Sequence, residues 1–182
     1  MRLPFSYFSL PIFFLLFSTF HAMSTNNLIP ETCKKCVQKD PNLTYKFCVT
    51  SLQAARGSHR VDDLRELGKI SIKLIKHNVT NTRHHIQKLL KNRRLDSFLK
   101  ECLDDCFSLY SDSIPTLGQA LKDYKTKNYE NVNIDLSSMI DVSTTCEDGF
   151  NEKKGAISPL TKRNNDTFQL SAISLSIINM LS

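Results

Sequence analysis

The chain has 182 residues, 41% hydrophobic and 23% charged, with 24 Lys+Arg against 18 Asp+Glu, six cysteines, five glycines and six prolines. So few turn formers exclude an all-β sandwich or barrel, which needs a turn every eight to twelve residues or so. The one close glycine pair, Gly149 and Gly155, runs into Ala156-Ile157 and not Lys-Ser/Thr, which excludes a P-loop and leaves no dinucleotide fingerprint. What remains is a mostly helical chain of single-domain length.

Residues 1–24 read as a secretory signal peptide. Arg2 precedes an apolar run whose continuous part, Leu10–Phe17, is too short to span the hydrocarbon layer, and Pro4 and Pro11 oppose an anchoring helix. The run closes on Ala22-Met23-Ser24, a small–x–small cleavage pattern. Cleavage after Ser24, or alternatively Ala22, predicts an extracellular or apoplastic protein, or one sent on to the vacuole, with no membrane segment left. All six cysteines stay in the mature chain, which remains basic.

Residues 25–54 predict a helical hairpin. Two apolar segments, Leu28–Gln38 and Leu43–Gln53, flank the turn Lys39-Asp40-Pro41-Asn42. Cys33 and Cys48 are placed to tie its arms. Residues 55–182 predict four bundle helices. After a break at Ala55–Arg60, the first carries Leu64, Gly68, Ile72, Ile75, Val79, Ile86 and Leu90 on one face and ends at Lys91–Arg94. The second steps through Leu99, Leu103, Cys106, Tyr110, Ile114, Leu117, Leu121 and Tyr124, with Pro115 expected to kink it or reset it near Ser113. The third repeats three–four from Tyr129 through Val132, Leu136, Met139, Ser143 and Cys146 to Phe150. A loop over Lys153–Asn164 leads to a fourth helix, with Phe168, Leu170, Ile173, Ile177 and Leu181, running to the C-terminus. Four helices on short loops predict an all-α, up-down-up-down bundle preceded by the hairpin.

An even number of cysteines in a secreted chain reads as disulfides, with fifteen connectivities open on count alone. A four-thiolate zinc site from Cys33-x2-Cys36 and Cys102-x3-Cys106 is disfavoured where thiols meet an oxidising folding machinery. In an antiparallel bundle Cys106 and Cys146 can meet, giving Cys33–Cys48 and Cys106–Cys146 and leaving Cys36 and Cys102 unassigned. The hairpin sits at one end and Cys102 near the other, so these two thiols are expected to stay unpaired within a molecule. Asn42, Asn78 and Asn165 head sequons for N-glycosylation.

No catalytic constellation is evident. His59, His77, His84 and His85 lie among basic or polar residues, and Asp104-Asp105 and Glu147-Asp148 are expected to be solvated charges. Ser137-Ser138 and Thr144-Thr145 have no basic partner. No metal or cofactor is implied. The cluster Arg83-His84-His85 with Lys91, Arg93 and Arg94 suits a helix C-terminus. Without aromatic platforms it does not suit nucleic acid. Acidic pectin is the more sensible polyanion for it.

The segments Thr32-Cys33-Lys34-Lys35 and Tyr45-Lys46-Phe47-Cys48-Val49 and the Cys106/Cys146 pair resemble the plant invertase and pectin methylesterase inhibitor family. So does TCEDGFNEKKGAISPLTKRNND over 145–166, followed by QLSAISLSI. The likeness is greatest to the invertase inhibitors of its pollen-allergen branch. The resemblance implies a disulfide-stapled four-helix bundle without enzymatic activity. Such a protein binds an acid invertase or a pectin methylesterase one to one and occludes its substrate cleft; a non-inhibitory, allergen-like bundle is the further alternative. Invertase inhibitors of the family often carry Pro-Lys-Phe at the start of the third bundle helix. The matching residues here are Lys127, Asn128 and Tyr129, which keep only the aromatic. In pectin methylesterase inhibitors the resemblance implies contacts from the exposed faces of the second and third bundle helices.

Overall fold

A computed structural model describes residues 27–182, so the signal peptide expected at 1–24 lies outside the described residues. These contain six α-helices: α1 (Leu28–Lys39), α2 (Tyr45–Ala54), α3 (Leu64–Leu89), α4 (Ser97–Lys125), α5 (Tyr129–Asn151) and α6 (Thr161–Ile178). One 3₁₀ turn, Ser58–Arg60, occupies the break after the hairpin. In the bundle α3 packs on α4, α4 on α5, α5 on α6 and α6 back on α3, which closes an up-down-up-down ring. No helix among the described residues is long and apolar enough to cross a membrane.

Helix starts are set by local chemistry. The Asp63 carboxylate accepts from the Glu66 amide at 2.8 Å to open α3, and Asp96 accepts from the Phe98 and Leu99 amides to open α4. Each satisfies donors that the first turn leaves unpaired. The start of α6 is held from outside. Glu147 of α5 accepts from Ser158 and Thr161 hydroxyls and from the Asn164 amide at 2.5–3.0 Å. Glu147 is therefore a tether between α5 and α6, not the solvated charge expected of it. That tether lets α6 begin at Thr161, inside the stretch expected as loop, and the helix ends at Ile178, short of the C-terminus.

Pro115 does not reset α4, which runs unbroken from Ser97 to Lys125. The proline is exposed, so its missing hydrogen bond falls on the wet face of the helix. The buried stripe of α4 is Leu103, Cys106, Tyr110, Ser113, Leu117, Ala120 and Tyr124. Ser113 and Ala120 thus hold the inward positions expected of Ile114 and Leu121, which are only half-buried. Small side chains fit where helices approach closely, and the larger neighbours cover the edge of the seam. In α5 the buried set Val132, Leu136, Met139, Ser143, Cys146 and Phe150 follows the predicted spacing throughout.

Two disulfides tie the fold. Cys33–Cys48 joins α1 to α2 with a Cα–Cα separation of 5.7 Å, and Cys106–Cys146 joins α4 to α5 at 5.0 Å. The hairpin lies along α6, where Ile29, Cys33, Cys36, Cys48 and Leu52 bury with Leu67, Ile70, Ala172, Ile173 and Ile177. The larger core among α3, α4, α5 and α6 is separate and includes Ile75, Tyr110, Leu136 and Phe150. Because α6 is covered by the bundle on one side and the hairpin on the other, it buries residues nearly all round, among them Ser171, Ser174 and Gln169. Gln169 clasps the hairpin turn: its Oε1 accepts from the Thr44 amide at 2.9 Å, and its Nε2 donates to the Asn42 carbonyl at 2.6 Å.

Cys36 and Cys102 are free and buried, one in each core, so no four-thiolate cluster forms. Burial pushes the Cys36 thiol up to about 11. Cys102 is shifted upward, first by burial and then by Asp105, and its sulfur donates to the Gly149 carbonyl at 3.4 Å. Both thiols are protonated at neutral pH and correspondingly unreactive.

Candidate functional site

The residues that the sequence singles out as a contact motif form the corner between α4 and α5. The end of α4 closes in a Schellman arrangement. The Lys127 amide donates to the Tyr124 carbonyl at 3.2 Å, and the Asn128 amide reaches back to the Asp123 carbonyl at 2.9 Å. This geometry demands a left-handed residue, and glycine is the usual occupant. Here it is Lys127, with φ 62°, the one non-glycine residue at positive φ among the described residues. A side chain there costs on the order of 1 kcal/mol, and such strain gathers at functional positions.

Asn128 serves both helices: it ends α4 and caps α5, its side chain facing the Asn131 amide. Lys127 and Asn128 are exposed, while Tyr129, the first residue of α5, is half-buried. The Tyr129 ring packs against Tyr124 with centroids 5.6 Å apart and planes tilted by 55°. Tyr124 in turn donates its hydroxyl to the Arg65 carbonyl at 2.5 Å. It reaches that carbonyl because residue 68 is glycine; a Cβ there would lie 2.5 Å from the Tyr124 hydroxyl. A chain of contacts thus ties the corner to the start of α3. Arg65 closes it on the outside with a 3.4 Å hydrogen bond to the Lys125 carbonyl.

The corner carries mixed charge: Lys122, Lys125, Lys127 and Arg65 are exposed, and Asp63, Glu66 and Glu130 stand exposed among them. In the second turn of α5, Ile134 is 63% exposed on the outer face. Beside it Asp135 is shifted upward by burial and by Asp123, and one of its carboxylate oxygens has no partner. A fixed corner of mixed charge, next to an otherwise polar helix face that carries the exposed Ile134, offers contacts to another protein. It holds no nucleophile–base pair.

The other candidate residues are scattered. Asn42 and Asn165 are exposed. Asn78 is half-buried between α3 and α6, and its carboxamide oxygen accepts the Thr167 hydroxyl at 2.8 Å. The basic cluster divides. Lys91, Arg93 and Arg94 sit exposed after the end of α3, whereas Arg83 turns inward to donate to the Ser111 hydroxyl at 2.9 Å and lie 4.7 Å from the Phe107 ring centroid. Among the four described histidines only His85 is half-buried, and it is shifted downward by burial, then by Arg163 and Lys88. The one carboxylate cluster of metal-binding spacing among the described residues, Asp62, Asp63 and Glu66, is fully exposed.

A buried polar network escaped the sequence reading. Tyr110 donates towards Asn164 at 2.8 Å with Thr167 at 3.2 Å, and Asn164 passes on to Glu147. Burial pushes the Tyr110 phenol up to about 12. No apolar pattern marks this network, because Asn164 and Thr167 lie in the polar first turns of α6, Thr161–Thr167.

Fold and site together define a class: a small helical module, stapled by two disulfides, with a left-handed corner fixed between α4 and α5. Known proteins make the class specific. The family described as plant invertase/pectin methylesterase inhibitor matches residues 27–177. A protein of Platanus acerifolia named "Putative invertase inhibitor" is 43% identical over 175 residues, covering 96% of this chain and 97% of that one. An Arabidopsis thaliana protein named pectinesterase inhibitor 12 is 36% identical over 173 residues, 95% of this chain and 97% of that one. The crystal structure of a mutant form of an Arabidopsis pectin methylesterase inhibitor superposes with a TM-score of 0.70, covering 82% of this chain and 96% of that one; at 22% identity it shows the shared fold. The chain belongs to the plant invertase/pectin methylesterase inhibitor family, a family of inhibitors and not of enzymes.

Proposed function

We propose that this protein inhibits a plant acid invertase by seating the α4–α5 corner in the enzyme's sucrose-cleaving cleft, one inhibitor to one enzyme, without covalent chemistry. The observation that carries this reading is the left-handed Lys127, held by two backbone hydrogen bonds at the apex of the corner. A strained apex fixed before binding loses little entropy on docking. The near-full-length likeness to a relative named as an invertase inhibitor supports the choice of target.

In this reading Lys127 and Asn128 make the direct contacts and Tyr129 is the buttress that holds them out. The protein enters the secretory route by residues 1–24 and works in the cell wall or vacuole as one unit, hairpin 25–54 on bundle 55–182. Asn42 and Asn165 are the sequons placed to carry glycan, whereas a sugar on Asn78 would compete with its bond to Thr167. Titration of purified inhibitor into acid invertase at mildly acidic pH tests the proposal. Sucrose cleavage should fall to a plateau at equimolar ratio, and Lys127→Glu should weaken the effect at least tenfold.

A second reading rests on Ile134. Exposed at 63% on the outer face of α5, it favours an extended helix-face contact with a pectin methylesterase instead of an inserted corner. Ile134→Lys should then abolish inhibition of pectin de-esterification, while Lys127→Glu leaves it intact.

A further inference from the structure

A groove far from the corner runs along the outside of α2, over α3 and α6. Its wider part, about 650 Å³, is bounded by Ala54, Ala55, Arg56, Ile70, Lys73, Leu74 and His77. A second hollow of about 260 Å³ shares Ala54, Leu74 and His77 and continues past Phe47 to Leu170 and Arg163. From Ile70 to Asn81 the groove follows α3 for about 16 Å, at 1.5 Å rise per residue.

The floor and the rim differ in chemistry. Phe47, Ala54, Ala55, Ile70, Leu74 and Leu170 make an apolar floor. Arg56 and Lys73 stand exposed at one end, and Arg163 stands at the other. Asp166, the one acid lining either hollow, is already paired with Lys162 at 2.6 Å. An apolar trough with unpaired cations at its ends asks for a molecule with an apolar body and an anionic head. An oligouronate would leave the floor uncovered, and a neutral lipid would leave the cations unused.

We propose that the groove between α2 and α3 binds a medium-chain fatty carboxylate, its alkyl chain on the Ile70–Leu74–Ala54 floor and its carboxylate at Arg56 and Lys73. An extended chain of about a dozen carbons matches the roughly 16 Å length. The site is independent of the corner, so ligand and target enzyme can be held together.

Calorimetric titration with laurate tests this, using the secreted protein carrying Thr80→Ala, so that no sugar on Asn78 covers the groove. Laurate should bind one to one. Butyrate, which lacks the tail, and dodecanol, which lacks the charge, should each bind at least tenfold more weakly. Lys73→Glu should weaken laurate by tenfold or more; Ala54→Phe, at an exposed position of the floor, should fill the groove and abolish binding without lowering the melting temperature or invertase inhibition. Failure of laurate to bind would overturn the proposal. So would equal binding of dodecanol, or affinity unchanged by both substitutions.

Discussion

The hairpin and the bundle are each closed by one disulfide, yet the bond does different work in the two. The bundle has a continuous core from Ile72 to Phe150, and its bridge adds to a structure that packing already specifies. The hairpin has two helices of 12 and 10 residues and little interior of its own. Helices that short are marginal in water, and the hairpin persists because Cys33–Cys48 closes it and α6 receives it. The same kind of covalent link is thus a reinforcement in one region and a condition of folding in the other.

That contrast can be broken most forcefully at the bridges. Replacing Cys106 and Cys146 together by alanine removes a closure 40 residues apart, worth about 4 kcal/mol in the chain-entropy model. Urea unfolding should register it as a global loss. The Cys33/Cys48 double replacement removes a 15-residue closure worth about 3 kcal/mol. Hydrogen exchange should show amides in α1 and α2 losing protection while those of α4 and α5 keep theirs. If both replacements lowered bundle protection alike, the two regions would be one cooperative unit.

Alkali acts on the bundle through a buried phenol. The Tyr110 phenol titrates near 10 when unfolded and is pushed up to about 12 by burial in the native core. Between those values the unfolded state has lost its proton and the native state has not, so stability falls as pH rises. The shift corresponds to about 2–3 kcal/mol lost from pH ~10 to pH ~12. Tyr124 is displaced in the same direction by burial. Denaturation followed across this range should show the decline, and Tyr110→Phe should flatten it.

Smaller effects belong to the seam and the corner. Gln169→Leu removes the amide that binds both sides of the Asn42–Thr44 turn and should cost about 1–3 kcal/mol, read as faster exchange confined to the hairpin. Lys127→Gly should raise stability by about 1 kcal/mol by relieving the left-handed backbone. Under the invertase reading it should weaken inhibition at the same time. Opposite signs for stability and inhibition would mark the corner as strained for function.

Legibility in the sequence followed from how many sides of an element are buried. Helix α5 has one buried face, and its three–four spacing from Val132 to Phe150 reads directly. Helix α6 is covered on two sides, so no single stripe describes it: Gln169 looks like a solvent residue until it is seen clasping the hairpin turn, and Ser171 and Ser174 are buried in the same helix. The register of α4 was misread at Ser113 and Ala120 because a pattern of large apolar residues overlooks the small ones at a close helix contact. At the candidate site, position and resemblance singled out Lys127, Asn128 and Tyr129. The left-handed apex, the Tyr124 support and the gap left by Gly68 came from tertiary geometry that no local pattern encodes.

Blocking of a sucrose-cleaving enzyme by the α4–α5 corner is open to direct titration. Its most direct test is the residual activity of acid invertase and of pectin methylesterase, each titrated with the same purified protein. Sucrose hydrolysis should fall to a plateau at one equivalent while pectin de-esterification continues. Full invertase activity at excess inhibitor, with pectin methylesterase silenced, would contradict it.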